Sequence, residues 1–434
     1  MTPEDREDML AAIGVASADA LFADIPASAR APDVSRLPAP LSEYDLVKEL
    51  RALSNLNTAA GSVAFFRGGG VYRRYTPSVV SDIIRRGEFL TSYTPYQAEA
   101  SQGTLQVAFE FQSIVCALTG MEVANAGMYD GASALAEACL MACRVTGRER
   151  LAIADSVNPR YARVVQTYAE PQGIAIDRVA AGSPALTNEH ACLVLQTPDH
   201  YGRISLVDDG PSKLCKENGA LLVVAADVMS LALFRPPREF GADIVVGDGQ
   251  ALGLSMSFGG PYVGLFTTKQ EHIRQMPGRI VGQTTDLDGR RAFVLTLQAR
   301  EQHIRRERAS SNICTSEQLL ALAATVYVGC LGKQGMQQVA RLCYEKSHYA
   351  AKLIGNLRGW GLVYPDAPFF QEFVIRCPRP VAKVNYLLRR QGIIGGLDVS
   401  AQGESRMLVC VTETNTREEI DRLFEALEDM AGAE

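Results

Sequence analysis

The densest group of polar and aromatic residues that could do chemistry lies in LTSYTPYQAEASQ, residues 90–102, called the tyrosine loop below. Its candidate site residues are Tyr93, Thr94, Tyr96, Gln97, Ser101 and Gln102. Phenol hydroxyls beside the free N–H groups of a helix N-terminus suit a carboxylate or another anion. A structural role fits equally well, because Thr94, Pro95 and Gln97 match the N-cap, N1 and N3 positions of a capping box. The loop therefore predicts an anion contact, a helix start, or both.

A second candidate is the small-residue helix start in NAGMYDGASALAEA, residues 125–138. Gly131, Ala132 and Ser133 would let a phosphate approach backbone amides at the positive end of the helix dipole. Small residues at a helix start also serve close packing, so the signal is weak alone. The segment is not a P-loop, because no G-K-[ST] follows it.

Two further polar residues follow strand-like runs. Asp227 ends ALLVVAAD, where a carboxylate can pair with a cationic ring nitrogen or cap the next segment. Gln250 lies at the glycine turn of ADIVVGDGQALGLSMSFGGPYVGLF, residues 242–266. That turn has the outline of an active-site segment but offers no nucleophile, base or cofactor-anchoring lysine. Its glycine spacing, G-x-G-x-x-x-G, is one residue too long for a dinucleotide-binding fingerprint.

The elements that position these residues read as a layered α/β protein. Helices are expected at 101–119 and 132–146, and from residue 150 onward short apolar strands alternate with helical stretches. Continuous apolar strands of this kind predict a mainly parallel sheet with helices on both faces. The predicted organisation is an N-terminal helical arm (1–60), a large α/β domain (61–314) and a smaller C-terminal α+β domain (315–434).

The arm combines two helices with a proline-rich connection. The first is expected to end at Gly14, and the second begins after Ser42 as N-cap, with Leu46, Leu50 and Leu53 as an apolar stripe. An arm of this kind usually wraps around another subunit or domain.

Composition excludes several classes of function. The 434 residues carry a net charge of −6 with no basic stripe, which argues against a nucleic-acid partner. The acidic N-terminus is the opposite of a signal peptide, and no run of 18 apolar residues is present, so a soluble cytoplasmic protein is expected. Ten cysteines, Cys314 among them, lack a C-x-x-C pair, and the five histidines form no ligand pattern. We therefore expect no metal site.

One basic run, Arg300 to Arg308, leaves two interpretations open. Its cations are Arg300, His303, Arg305, Arg306 and Arg308. They could meet an acidic partner, but the interleaved Glu301 and Glu307 favour an ordinary salt-bridged surface.

The order of these parts resembles fold-type-I pyridoxal-phosphate enzymes. In that superfamily the helix start holds the phosphate, the aspartate pairs with the pyridine nitrogen, and a following lysine forms the Schiff base. By that resemblance Gly131, Ser133, Asp227 and Gln250 mark a vestigial pocket, with Gln250 near the position of the lysine. An amide cannot form an imine, so the covalent step is unavailable to this chain.

Longer motifs make the resemblance specific. SYTPYQAEASQGTLQ, GMEVANAGMYDGASALAEA, GDGQALGLSMSFGGPYVGLF and LQAREQHIRRERASSNICT closely resemble the glycine cleavage system P-protein, subunit 1 of its two-subunit bacterial form. The likeness extends over essentially the whole chain. It departs at Arg74, where a histidine is expected in many relatives, so no role is carried over to that position.

The resemblance implies a division of labour between chains. P-proteins decarboxylate glycine on pyridoxal phosphate and pass the aminomethyl group to the lipoyl arm of the H-protein. Subunit 2 carries the lysine and the cofactor, so this chain is expected to contribute no catalytic residue and to be inactive alone. The expected assembly is an αβ unit paired into α2β2, with the tyrosine loop nearest the partner's cofactor.

Two other functions remain open from the sequence. The chain could be an independent pyridoxal-phosphate enzyme that uses Lys269, which lies 42 residues after Asp227 and beyond a different strand. Alternatively, it could be a purely structural or regulatory chain whose pocket lies far from any chemistry.

Overall fold

The computed structural model describes residues 1–30, 36–313, 317–401 and 403–432. The chain divides into two units, Met1–Thr58 and Ala59–Glu434. The predicted boundary between the large and small domains, at residues 314 and 315, lies outside the described residues. That division of the chain stays a prediction.

The unit Met1–Thr58 contains the helices α1 (Pro3–Ile13) and α2 (Glu43–Ser54). Thr2 and Asp5 form a reciprocal capping box at the start of α1, and Gly14 ends it with φ 82°. The Ser42 hydroxyl accepts the N–H of Asp45 at 3.2 Å. Both predicted helices and the Ser42 cap are confirmed.

This unit has no buried residue among those described, so it has no core of its own. The apolar stripe of α2 is exposed, with Leu50 at 55% and Leu53 at 53%. Helices of this length are marginal in water without packing. The unit therefore carries apolar surface that its own residues do not cover.

The unit Ala59–Glu434 contains the remaining elements. Its strands are β1 (Ala64–Phe65), β2 (Val123–Ala124), β3 (Arg150–Ala154), β4 (Ala175–Val179), β5 (Cys192–Thr197), β6 (Leu221–Asp227), β7 (Ile244–Asp248), β8 (Gly264–Thr268), β9 (Ile280–Thr285), β10 (Arg291–Thr296), β11 (Gly361–Leu362), β12 (Glu372–Arg376), β13 (Ile393–Ile394), β14 (Leu397–Asp398) and β15 (Arg406–Cys410). Its α-helices are α3 (Ser78–Ile84), α4 (Gly87–Leu90), α5 (Gln102–Thr119), α6 (Gly131–Thr146), α7 (Pro159–Ala169), α8 (Gly210–Asn218), α9 (Gln302–Arg305), α10 (Gln318–Gly355), α11 (Val381–Arg390) and α12 (Arg417–Gly432).

The main sheet has seven strands in the order β2-β8-β7-β6-β5-β3-β4. The neighbours from β7 to β4 are all parallel. Consecutive residues Leu222 to Ala226 of β6 are all buried, and successive side chains point to opposite faces, so both faces of the sheet are covered. The predicted α/β architecture with a mainly parallel sheet is confirmed.

Strand β8 differs from the predicted parallel set, because it runs antiparallel to β7. For β8 to run parallel to β7, the connection between them would have to cross over the sheet, usually through a helix. The segment 249–263, which the structure describes in full, holds a short 3-10 turn (Gly249–Ala251) in place of an α-helix. The chain therefore turns back beside β7.

The C-terminal part packs a second sheet against helices. Strands β11-β12-β15-β14 form an antiparallel sheet, and its core includes side chains of α10, α11 and α12. Helix α10 is interrupted at Gly332, whose φ is 59°. By length and composition alone α10 could cross a membrane, but residues such as Tyr327 and Ala350 are buried in cores of this chain. The length and composition of α10 are thus weak evidence for a membrane.

The nine described cysteines are all free thiols. Six are buried and Cys330 is exposed, while Cys314 lies outside the described residues.

Candidate functional site

The candidate pocket lies at the carboxyl ends of β6 and β7. Asp227 and Asp248 end these strands and face each other in the register of the sheet. In open α/β sheets this edge is where ligands bind. The cavity has a volume of about 50 Å³. Side chains of Tyr72, Asn158, Tyr161, Gln196, Asp227, Asp248, Gln371 and Glu372 contribute to its lining.

Gln250 clamps the backbone of a distant segment. Its Nε2 donates to the carbonyls of Tyr72 at 2.9 Å and Leu254 at 2.8 Å, and its Oε1 accepts the N–H of Tyr72 at 2.9 Å. The side chain is 1% exposed. A lysine ammonium has three donors and no acceptor, so it could not accept the Tyr72 N–H. The residue at the expected lysine position therefore holds the chain around Tyr72 in place.

The start of α6 is capped by carboxylates of this chain. The N–H of Gly131 donates to Asp248 Oδ2 at 3.0 Å, and the N–H of Ser133 donates to Asp130 Oδ1 at 2.7 Å. A Cβ on Gly131 would lie 2.5 Å from the Tyr161 hydroxyl. Burial raises the pKa of Asp248 to about 6, while the N–H groups of Gly131 and Gln250 act in the opposite direction. A carboxylate thus occupies the place that the sequence predicted for a phosphate.

Asp227 serves as a cap. Its Oδ1 accepts the N–H groups of Met229 at 2.8 Å and Ser230 at 3.0 Å, and its Oδ2 accepts from Gln371 at 2.9 Å. Burial raises its pKa, and the positive charge of Arg74 is the largest opposing influence. Of the two roles that the sequence left open, the structure has the capping role.

Arg74 is a buried cation beside this carboxylate. Its guanidinium donates to Glu413 Oε2 and to Gln371 Oε1, both at 2.6 Å, and its side chain is fully buried. Gln371 therefore bridges Arg74 and Asp227 through its amide. A buried ion pair of this kind is strongly destabilised when one partner is removed, because the other charge is left uncompensated.

Glu372 completes the polar network. Its Oε2 accepts from the Tyr72 hydroxyl at 2.9 Å, and its Oε1 accepts the N–H of Gly69 at 2.7 Å. Burial raises the pKa of Glu372 to about 7. Sequence reasoning missed Tyr72, Asp248, Gln371, Glu372 and Glu413. The polar pair at the start of the apolar run QEFVIRC was the available signal for two of them.

These residues do not fit pyridoxal phosphate. Position 250 carries no amine, the Gly131 N–H is taken by Asp248, and Asp227 already accepts three hydrogen bonds. The cavity of about 50 Å³ has room for one or two waters, whereas ligand pockets measure roughly 300–1,000 Å³. The residues that the sequence predicted for a vestigial pocket thus bond to groups of this chain and leave only a small cavity.

Lys269 lies at the opposite edge of the sheet. It follows β8, whose last residue Thr268 pairs with Ile244 at the start of β7, whereas Asp227 pairs with Asp248 at the end of β7. The five residues of β7 span roughly 13 Å. The Lys269 ammonium is paired with Asp243. Lys269 is therefore separated from the pocket by the length of a strand.

The tyrosine loop contains a short 3-10 turn, Ala98–Ala100, and does not form the start of α5. Helix α5 begins at Gln102, and Ser101 precedes it without a side-chain cap. The predicted capping box at Thr94 and Gln97 is therefore wrong. Tyr93 and Tyr96 are 78% and 52% exposed, and Pro95 between them is buried. The loop thus presents its aromatic side chains outward around a buried proline.

The end of the loop is fastened to β10. Gln102 Oε1 accepts the N–H of Phe293 at 2.9 Å, and its Nε2 donates to the carbonyls of Phe293 and Ala98, both at 2.8 Å. Gln102 is therefore a structural link in this chain.

Tyr96 joins the loop to the basic run. Its hydroxyl lies 3.4 Å from Arg279 Nη2, and its ring meets the His303 ring edge to face at 5.3 Å. The Glu301 carboxylate lies 3.6 Å from Arg279 Nε and 3.7 Å from His303 Nδ1. The Tyr96 hydroxyl, the Arg279 guanidinium, the Glu301 carboxylate and the His303 ring form one cluster.

Comparisons with known proteins agree over the whole length. A family model described as glycine cleavage system P-protein matches residues 1–427. The probable glycine dehydrogenase (decarboxylating) subunit 1 of Thermomicrobium roseum is 48% identical, covering 99% of this chain and 98% of that protein. Its counterpart from Chlorobium limicola is 47% identical, with 98% of each covered.

Solved structures give the same result for the fold. A crystal structure of glycine decarboxylase (P-protein) of the glycine cleavage system, in inhibitor-bound form, has a TM-score of 0.91 at 41% identity, covering 99% and 98% of the two chains. An alanine–glyoxylate aminotransferase from Nostoc has a TM-score of 0.59 at 18% identity, covering 92% of this chain and 99% of the other. That second likeness concerns the fold alone. The predicted pyridoxal-phosphate-transferase-like fold class is confirmed.

Proposed function

The chain belongs to the glycine cleavage system P-protein family, and from this premise we propose that it is the subunit without the Schiff-base lysine. In this proposal it acts with a second subunit that holds pyridoxal phosphate and decarboxylates glycine. The aminomethyl group then passes to the lipoyl arm of the H-protein. The expected assembly is an αβ unit paired into α2β2.

The observation that carries the proposal is that this chain's own side chains engage the hydrogen-bonding groups around a small pocket. Gln250 clamps Tyr72, and Asp248 caps Gly131, so the groups to which the resemblance assigns the imine and the phosphate are both engaged within this chain. The alternative of an independent enzyme loses support, because Lys269 is paired with Asp243 at the far edge of the sheet. A glycine decarboxylase built on this chain therefore needs a cofactor in another chain.

Within this proposal the tyrosine loop faces the partner's active site. Tyr93 and Tyr96 expose phenol groups, and Tyr96 lies against the Arg279 guanidinium. A hydroxyl beside a cation can hold a substrate carboxylate and help to exclude water. The proposed role of these residues is thus to bind and orient, with bond breaking left to the partner.

The first test is absorbance of the purified chain with added pyridoxal phosphate, alone and then with subunit 2. The band of an internal imine is expected only when subunit 2 is present, because this chain has neither an amine at position 250 nor a cavity of sufficient volume. An imine band with the isolated chain would exclude the proposal.

The second test is glycine decarboxylation by the reconstituted complex with Tyr96→Phe and Tyr93→Phe. Loss of one hydrogen bond to a charged group should lower kcat/KM by roughly ten- to a hundredfold in at least one variant. Tyr386→Phe is the matched control, because Tyr386 on α11 is 49% exposed, close to the 52% of Tyr96. Unchanged kinetics in both loop variants would favour a purely structural chain.

A further inference from the structure

A second cavity lies apart from the strand edge, among residues of the basic run. Its volume is about 360 Å³, within the range of roughly 300–1,000 Å³ that small-molecule sites occupy. It is lined by Arg274, Gln275, Leu297, Ala299, Arg300, Arg305, Arg308 and Ser310. Four of these lining residues are arginines, and this described lining includes no carboxylate. The concentration is local, because the chain as a whole carries a net charge of −6.

The interleaved acids do not neutralise this cluster. Glu301 approaches Arg279 and His303, while Glu307 lies 3.8 Å from Arg308 with both side chains exposed. An exposed pair at that distance contributes little stability. Arg274, Arg300 and Arg305 form no ion pair among the described residues of the chain. The interpretation as a salt-bridged surface thus holds for only part of the run.

Arg300 fixes a positive charge in the wall of this cavity. Its Nη1 donates to the carbonyl of Met276, and its Nη2 donates to that of Gly278 at 2.7 Å. Its Nε is buried without a hydrogen-bond partner. Burial lowers the pKa of Arg300, and although Glu301 opposes this effect, the charge of Arg144 adds to it. Arg300 is thus a largely buried cation whose hydrogen bonds go to neutral carbonyls, with Glu301 nearby but not in a direct ion pair with it among the described residues.

The loop that carries Arg305 and Arg308 is folded back on itself. The N–H of Ser310 donates to the carbonyl of Arg300 at 3.0 Å, and Arg305 Nε donates to the carbonyl of Ala299 at 3.0 Å. Leu297 and Arg306 have φ values of 52° and 55°, a region that non-glycine residues seldom adopt unless the surroundings hold them there. The surrounding hydrogen bonds thus place Arg305 and Arg308 beside Arg300.

We propose that this cavity binds a small polyanion that carries phosphate or several carboxylate groups. The planar guanidinium fork matches both groups in bidentate geometry. Four arginines in the lining suit a ligand with two or more negative charges. Glycine, which is neutral overall at pH 7, does not fit that requirement, so the site is distinct from the substrate contact proposed for the tyrosine loop.

The experiment is calorimetric titration of pyrophosphate and, separately, citrate into the full-length chain and into its complex with subunit 2. Sodium chloride keeps the ionic strength constant, so that general screening does not change during the titration. Saturable binding of either anion to both preparations is expected. A phosphate preference or a carboxylate preference then identifies the ligand class.

The test variant is Arg305→Gln combined with Arg308→Gln. Removing two charge-assisted contacts should weaken binding by roughly a hundredfold. The matched control is Arg290→Gln combined with Arg291→Gln, which should leave binding unchanged. Both arginines are exposed; Arg290 lies in the turn of the β9–β10 hairpin and Arg291 begins β10. Should the test variant fail to fold, Arg274→Gln on a different segment provides the same comparison, with an expected loss of about tenfold.

Three results would overturn the proposal. Unsaturable binding, or equal binding by the test variant and the parent chain, would place the anion elsewhere. Saturation by poly-glutamate without saturation by pyrophosphate or citrate would identify a protein-docking surface instead. Binding to the isolated chain that disappears in the complex would mean that the partner covers the cavity in the working enzyme.

Discussion

The Gln250 amide limits the chemistry that is available beside this pocket. It provides one acceptor and two donors, and all three meet backbone groups of Tyr72 and Leu254 at 2.8–2.9 Å. A buried backbone N–H without an acceptor would destabilise the fold by about 1–3 kcal/mol. The Gln250 amide cannot form an imine, and in this chain it serves as a structural contact.

Glu372 gives the pocket a pH dependence that can be measured. Its pKa is raised by burial from 4.5 to about 7. Because the folded state binds this proton more tightly than the unfolded state, the contribution to stability is fully present below pH 4.5 and is lost as pH rises through about 7. The difference corresponds to roughly 3 kcal/mol. Glu372→Gln should therefore gain stability relative to the parent chain between pH 4.5 and 7.

Urea unfolding at pH 4.5, 6 and 7.5 measures this difference. Gln retains the acceptor for Gly69, and the Tyr72 hydroxyl can accept from its amide N–H, so the comparison isolates the titration. Glu428→Gln, an exposed change on α12, should run parallel to the parent chain at all three values. Parallel curves for Glu372→Gln as well would contradict the raised pKa.

Among single residues, sequence reasoning predicted Asp227 and Gln250 for one pocket; Asp227 lines the cavity, Gln250 is not among its lining residues, and the partners of both were not found. The partners come from far along the chain: Gln250 meets Tyr72 178 residues away, and Asp227 meets Gln371 144 residues away. No local pattern encodes such pairs. Gln102 was likewise predicted to contact the partner. Its side-chain amide instead forms hydrogen bonds with the backbone of Phe293, 191 residues away in this chain.

Helix ends were predicted correctly where a single residue type marks them, as glycine does at a helix C-terminus. They were missed where the tertiary structure overrides the local sequence pattern. The predicted stops of α5 and α6 at Gly120 and Gly147 are confirmed, since both glycines adopt positive φ. The capping box at Thr94 and Gln97 failed because no helix follows Thr94: a 3-10 turn occupies Ala98–Ala100, and α5 begins only at Gln102. Likewise, periodicity identified β8 but could not give its direction, which depends on the connection before it.

The contact between α6 and β7 gives a prediction for a pair of helix-start glycines. Gly131→Ala would place a Cβ 2.5 Å from the Tyr161 hydroxyl and 2.9 Å from Asp248 Cβ. Because α6 or Tyr161 must shift, the free energy of unfolding should fall by about 1–3 kcal/mol. Gly103→Ala, in the first turn of α5 with open space around the new Cβ, should be neutral or stabilise by up to about 1 kcal/mol.

Urea unfolding of the two variants at one pH provides the measurement. Equal stabilities for Gly131→Ala and Gly103→Ala would mean that the start of α6 is not packed as tightly as these distances indicate.

For the molecule as a whole, the fold and the family were predictable, whereas the contacts around the pocket were not. Long motifs such as GDGQALGLSMSFGGPYVGLF carry the family resemblance, and alternating apolar runs carry the sheet. The pocket is built from the ends of β6 and β7 and from Gly70, Tyr72, Gln371 and Glu372, and Asp248 also contacts the start of α6. Those contacts exist only once the strands are paired in register.

The N-terminal arm supplies apolar surface for a second chain, which leads to a prediction about assembly. Leu46, Leu50 and Leu53 of α2 lie on one helix face and are exposed, in a unit without a described buried residue. We expect this face to pack on subunit 2. Leu50→Ser combined with Leu53→Ser removes two apolar anchors, and about 1.5–3 kcal/mol for each fully buried leucine predicts at least a hundredfold weaker association.

Analytical ultracentrifugation of the full chain mixed with subunit 2 measures this association. Lys48→Ser combined with Glu49→Ser is the matched control, because it places the same two serines on α2 without changing net charge or the apolar face. Serine lowers helix propensity similarly in both variants, so a loss confined to the leucine variant isolates the apolar contact. An unchanged Kd for the leucine variant would remove the arm from the interface and leave the partner's binding surface within Ala59–Glu434.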